Sequence, residues 1–162
     1  LMGRVYRAKG ERDPAIHAFG EALATGASTA YGAEAALRLG ELLSESGKYD
    51  EAFKQLNDAA SRAASPELLG LRARAYAGLA RNAELKGDTE GALRYYMSVG
   101  ILFDDAALVP ESLNKAAMLL EKLGRGEEAR TMRDELKARY PESPLAKPGQ
   151  TGTDKSGRKD NS

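Results

Sequence analysis

Apolar residues recur along this chain at the spacing of one helix face, and glycine interrupts them at regular intervals. Tyr76, Leu79, Ala80 and Ala83 fall at i, i+3, i+4 and i+7, and Ala92, Tyr96, Val99 and Phe103 form a second stripe beyond Gly87. That period predicts amphipathic helices with one buried side. The segments GRVYRAKGERDPAIHAFGEA, GELLSESGKYDEAFKQLNDA, ARNAELKGDTEGALRYYMSV and AAMLLEKLGRGEEARTMRDEL line up with one another. In each, a glycine (Gly10, Gly47, Gly87, Gly124) is followed five residues later by an alanine (Ala15, Ala52, Ala92, Ala129), at glycine intervals of 37, 40 and 37 residues. A glycine between two stripes supplies the left-handed conformation that ends one helix and lets the next fold back antiparallel. No segment alternates with the period of a strand. The pattern predicts eight helices or helix fragments in four hairpins.

Start signals fit this division. Asp13-Pro14 and Ser65-Pro66-Glu67 each set a capping residue before a proline, whose missing N–H costs nothing at a helix start. From Glu127 to Tyr140 the last stretch is so rich in Glu, Arg and Lys that one face must meet water, as a terminal repeat requires. The polar run KPGQTGTDKSGRKDNS has nothing to bury and is expected to be disordered.

The unit from Ala33 to Pro66 resembles the tetratricopeptide repeat along its whole length. Leu39-Gly40 matches the small-residue pair of the first helix, Tyr49, Ala52 and Ala59 match second-helix positions, and Pro66 falls near the closing proline. The next unit carries Tyr76, Leu79, Ala80, Ala92, Tyr96 and Val99 at equivalent places, and the last carries Ala116, Ala117, Leu120, Ala129 and Pro141. The departures are the signature tryptophan, replaced by Ala36, Tyr76 and Leu113, and Arg133 at a usually aromatic position. Covering residues 1–141, the resemblance implies an all-α, right-handed superhelical α-solenoid of antiparallel helix hairpins. The expected units are a truncated first repeat (1–28), a second (29–65), a third (66–105), a fourth with a polar terminal helix (106–146), and a disordered tail (147–162). Met2-Gly3 aligns with Leu39-Gly40, so the chain is expected to enter its first repeat partway and to be a fragment of a longer protein.

Composition narrows the chemistry. Lys+Arg and Asp+Glu both number 24, which argues against a dedicated nucleic-acid or anionic-membrane surface. Cysteine is absent, removing disulfides, thiolate metal sites and cysteine nucleophiles. No apolar run approaches the roughly 18 residues of a membrane span, and LMGRVYRAKGERD lacks the apolar core of a signal peptide.

Several motifs invite chemical readings. Gly124-Arg125-Gly126-Glu127-Glu128-Ala129 fits the loose G-x-G-x-x-A pattern of dinucleotide loops, but a helix precedes it where that loop needs a strand. Gly47-Lys48 lacks the rest of a phosphate loop. His17 falls on the outer side of a helix burying Ala15 and Phe19, without an orienting partner for catalysis. Asp104-Asp105 and Glu127-Glu128 lie where helices begin and are read as helix-end carboxylates rather than metal ligands. Of Tyr76, Tyr95 and Tyr96, two lie on packing stripes, favouring core over base stacking. No cofactor or metal is expected, and the chain is not expected to be an enzyme.

The resemblance also implies a concave groove lined by the first helix of each hairpin. Residue by residue it places Glu34, Leu37, Glu41 and Ser44 there from the second unit and Arg74, Ala77, Arg81 and Glu84 from the third. The fourth adds Glu111, Asn114, Met118 and Glu121, with Arg4 and Arg7 from the first unit and Arg38 and Lys115 close by. A groove for an extended peptide or a partner's helix, and a solvated helix face, both fit this mixed-charge wall. Relatives that clamp a C-terminal carboxylate use lysine and asparagine where this chain has Leu37, Glu41 and Gly78, so that activity is not expected. A protein or peptide partner is therefore expected. The alternative is a structural or oligomerising connector, self-associating through Val5, Tyr6 and Phe19 left partly uncovered in the first repeat. The ending ARYPESPLA resembles repeat ends of bacterial cell-envelope proteins; it tilts the expected location toward the periplasm and leaves the compartment open.

Overall fold

The computed structural model describes residues 2–8, 10–24 and 29–147. Eight α-helices occur among them: α1 (Met2–Ala8), α2 (Arg12–Ala24), α3 (Thr29–Glu45), α4 (Tyr49–Arg62), α5 (Leu69–Lys86), α6 (Thr89–Leu102), α7 (Leu108–Lys122) and α8 (Gly126–Arg139). Single 3-10 turns at Pro66–Leu68 and Pro144–Ala146 precede α5 and follow α8. No strand occurs among the described residues. The helices form four hairpins, and each hairpin packs on the next, giving the expected all-α solenoid. Beyond Lys147, the tail expected to be disordered lies outside the described residues.

The four turns share one geometry. Gly10, Gly47, Gly87 and Gly124 take φ of 75°, 76°, 83° and 73°. After each glycine the next N–H reaches back five residues, Glu11 to the Tyr6 carbonyl and Lys48 to Leu43 at 2.9 Å, Asp88 to Ala83 at 2.9 Å, and Arg125 to Leu120 at 2.8 Å. That bond satisfies a carbonyl the helix end would otherwise orphan, and the left-handed residue it requires strains any side chain. Helix starts vary more. Asp88 caps α6 by accepting the Gly91 N–H at 2.9 Å, and Asp105 Oδ1 accepts the Ala107 and Leu108 N–H groups ahead of α7. Two expected caps fall differently. Helix α2 begins at Arg12, so Asp13 sits inside its first turn, where its charge still favours the helix end. Ser65 makes no capping bond, and Pro66 opens the 3-10 turn rather than α5 itself.

The core runs along the stack, because each hairpin buries its faces against its neighbours. Leu56 of α4 is wedged between α3 and α5: a Cβ at Gly40 would lie 2.6 Å from Leu56 Cγ, and one at Gly78 would lie 2.8 Å from Leu56 Cδ2. Around it pack Ala36, Leu37, Ala59, Ala75 and Leu79. Gly3 repeats the device one hairpin earlier, its absent Cβ leaving room for the Phe19 ring at 2.9 Å. This close approach corrects one expectation: Phe19 is buried and only Tyr6 and Val5 are left half-buried and exposed. At the other end Ala146 joins Val99, Phe103, Val109 and Leu136 in a closing cluster. Helix α8 fully buries only Ala129 and Leu136, Met132 packs half-buried on the core beside them, and its charged residues meet water or polar partners.

Candidate partner-binding groove

The leading helices α3, α5 and α7 touch one another in sequence, whereas the trailing helices α4, α6 and α8 make no comparable contact. The leading side is therefore the inner side. A hollow of about 280 Å³ opens there, with α3, α5 and α7 forming most of its wall and Tyr96 of α6 the rest. Helix α3 contributes Arg38, Glu41, Ser44 and Glu45; α5 contributes Arg74, Ala77, Gly78, Arg81 and Leu85; and α7 contributes Leu108, Glu111 and Ser112. A wider cavity of about 550 Å³ adjoins it, sharing Arg38 and Arg74 and adding Arg4, Ala8, Phe19 and Glu34.

The α3 residues facing these spaces are Glu34, Arg38, Glu41, Ser44 and Glu45, joined by steps of three or four residues on one side of the helix. Leu37, three residues after Glu34 and four before Glu41, lies on the same side by spacing, but its side chain is taken up by contacts with α4 and α5. The structure accordingly corrects its placement: Leu37 is fully buried against Leu56 and Leu79, and Arg38 takes the wall position expected of it. On α5, Arg74, Ala77 and Arg81 keep the expected face. On α7 the hollow touches only the first turns, so Asn114, Met118 and Glu121 do not line it. Asn114 Nδ2 lies 3.7 Å from Met118 Sδ, and Glu121 turns toward α8, where Arg133 grips both its oxygens.

Charge is organised around two carboxylates. Glu34 is faced by three guanidiniums, Arg38 at 2.9 Å, Arg4 at 3.4 Å and Arg74 at 3.6 Å. Arg38 also meets Glu41 at 3.0 Å. Burial works to lower the Arg38 pKa, but Glu41 and Glu34 outweigh it and raise it, so this cation holds its charge. Glu84 is the second carboxylate. It accepts the Tyr96 hydroxyl at 2.7 Å and the Lys115 ammonium at 2.9 Å, tying α5 to α6 and α7. Partial burial works to raise the Glu84 pKa, yet Tyr96 and Lys115 bring it below the ordinary glutamate value. Tyr96 moves the other way, raised first by burial and then by the anion it binds. Glu84 and Lys115 are thus committed to each other. Arg81 and Glu111 make no ion pair among the described residues.

One polar group under the groove escaped the sequence pattern. Asn82, buried on α5, accepts the Ser44 hydroxyl at 2.8 Å and donates to the Tyr49 carbonyl at 3.0 Å. Its signal was an amide three residues after Leu79, on the apolar side of the helix. The other chemical candidates resolve into surface and helix-end roles. His17 lies 3.6 Å from Glu21 with most of its side chain exposed, and Glu128 pairs with Arg125 at 2.7 Å. Among the described residues no three His, Cys, Asp or Glu side chains gather as metal ligands, and no helix is long and apolar enough to cross a membrane.

Stacked antiparallel hairpins with an open hollow along their leading helices define an α-helical repeat protein. Residues 33–66, from within α3 to Pro66, match the tetratricopeptide repeat family. The crystal structure of MamA is similar in fold, with a TM-score of 0.68 and 19% sequence identity over 87% of this chain and 75% of that one. No curated protein matches the chain.

Proposed function

We propose that the chain is a non-catalytic interaction scaffold that holds an extended peptide or a partner's segment in the inner hollow. The observation that carries this reading is the hollow's wall on α5 and α7, where charge outside any ion pair among the described residues (Arg81, Glu111) alternates with small or apolar surface (Ala77, Leu85, Leu108). Such a wall offers anchors for side chains and close approach for a backbone, on elements already held by the core. A photo-crosslinking residue placed at Ala77 tests it, with Phe53, exposed on α4, as the outer control. In extract of the native cell, Ala77 is expected to trap one discrete partner and Phe53 none. Equal trapping at both positions, or trapping at Phe53 alone, would rule the hollow out.

A connector role is the second reading, favoured by exposed Met2 and Val5 on α1. With Phe19 covered, the apolar surface for it is small. Light scattering over a concentration series separates the two: a monomer throughout removes the connector reading and leaves the scaffold reading untouched.

A further inference from the structure

Resting on the reading of the hollow as a peptide groove, we infer that its occupant is an acidic extended segment carrying two carboxylates about three residues apart. The argument is one of unmatched donors. Three arginines share Glu34, and Arg38 has a second carboxylate in Glu41, so Arg74 is left with a single contact at 3.6 Å. Two turns further along α5, Arg81 has no ion pair among the described residues. A guanidinium carries five N–H donors and a carboxylate takes them in pairs, so both arginines have donors to spare.

Their spacing sets the ligand's spacing. Arg74 and Arg81 are seven residues apart on one helix face, about 10 Å at roughly 1.5 Å per residue. A polyproline-like extended strand has three residues per turn, so its residues i and i+3 turn their side chains to one face, about 9 Å apart. Between the two arginines lies Ala77, whose small side chain leaves room for the bound backbone. Glu41, Glu45 and Glu111 line the same hollow, so positions of the ligand beside its acidic pair favour neutral or basic residues.

The test is selection of a displayed library of random linear peptides against the intact chain, followed by anisotropy measurements on the selected sequences. The expected result is enrichment of two Asp or Glu residues separated by two positions. Binding should weaken at least about tenfold when either acid becomes its amide, in Arg74→Gln with Arg81→Gln, and at high salt. Melting curves confirm that each variant folds. Enriched peptides without paired acids, yet displaced by Ala77→Trp, would overturn this inference and leave the groove reading standing. Peptides indifferent to Ala77→Trp and to the arginine pair would overturn both, as would a selection yielding no binder.

Discussion

The two inner junctions of the stack are built alike and fastened differently. Between α3 and α5 the fastening is mainly neutral and buried, the Ser44–Asn82–Tyr49 relay above the Leu56 wedge, with one long Glu34–Arg74 ion pair at 3.6 Å beside it. Between α5 and α7 it is charged and about one-third exposed, the Glu84–Lys115 pair with the Tyr96 hydroxyl. A buried neutral relay is insensitive to salt and expensive to break, because each deserted group stays away from water. A half-exposed ion pair is screened by salt, answers to pH and contributes less. The first junction therefore holds the groove's geometry, and the second lets conditions act on it.

The largest effect should come from the wedge. Leu56→Ala removes a fully buried side chain held between two backbones, so a loss of about 2–5 kcal/mol in chemical denaturation is expected. A loss well below that range would mean that α3 and α5 collapse together over the gap. Next is Asn82→Leu, which leaves the Ser44 hydroxyl and the Tyr49 carbonyl without their partner. It should cost about 1–3 kcal/mol, lowering the melting temperature equally at low and high salt. Tyr96→Phe deletes only the hydroxyl on Glu84, for about 0.5–1.5 kcal/mol.

The pH dependence sharpens the contrast. Glu84 titrates lower folded than unfolded, so its contribution is fully present above the ordinary carboxylate range and is lost as pH falls through the depressed value. Acid titration should therefore erase the stability difference between the parent chain and Glu84→Gln. The difference between the parent chain and Asn82→Leu should persist over the same range. At the bottom of the scale is Lys86→Ala, which breaks a solvent-exposed pair with Asp50 and should leave the melting curve in place.

Much of the fold was legible because it repeats. A glycine followed by alanine at a fixed offset marked all four turns, since only the left-handed residue closes them. Helix starts were less legible: a proline satisfies the first turn of an α-helix and of a 3-10 turn equally, so Ser65-Pro66 did not say which would follow. In the groove, the resemblance put Arg74, Ala77, Arg81 and Glu41 on the wall they line, whereas Leu37, placed there with them, is buried against Leu56 and Leu79. Lys115 was placed near the groove, yet its bond to Glu84 was not legible. It depends on how far one hairpin rotates over the next, which no local pattern encodes.

The wedge at Leu56 has a further consequence for anyone wishing to retune the molecule. One branched side chain, rooted on the outer row of helices, sets the separation of two inner ones at the two places where both have given up their Cβ atoms. Trimming or enlarging residue 56 would change the bore of the channel on the opposite side without altering a single atom exposed within it. The width of the hollow and the chemistry of its lining are thereby separately adjustable, the first from behind the wall and the second on its face.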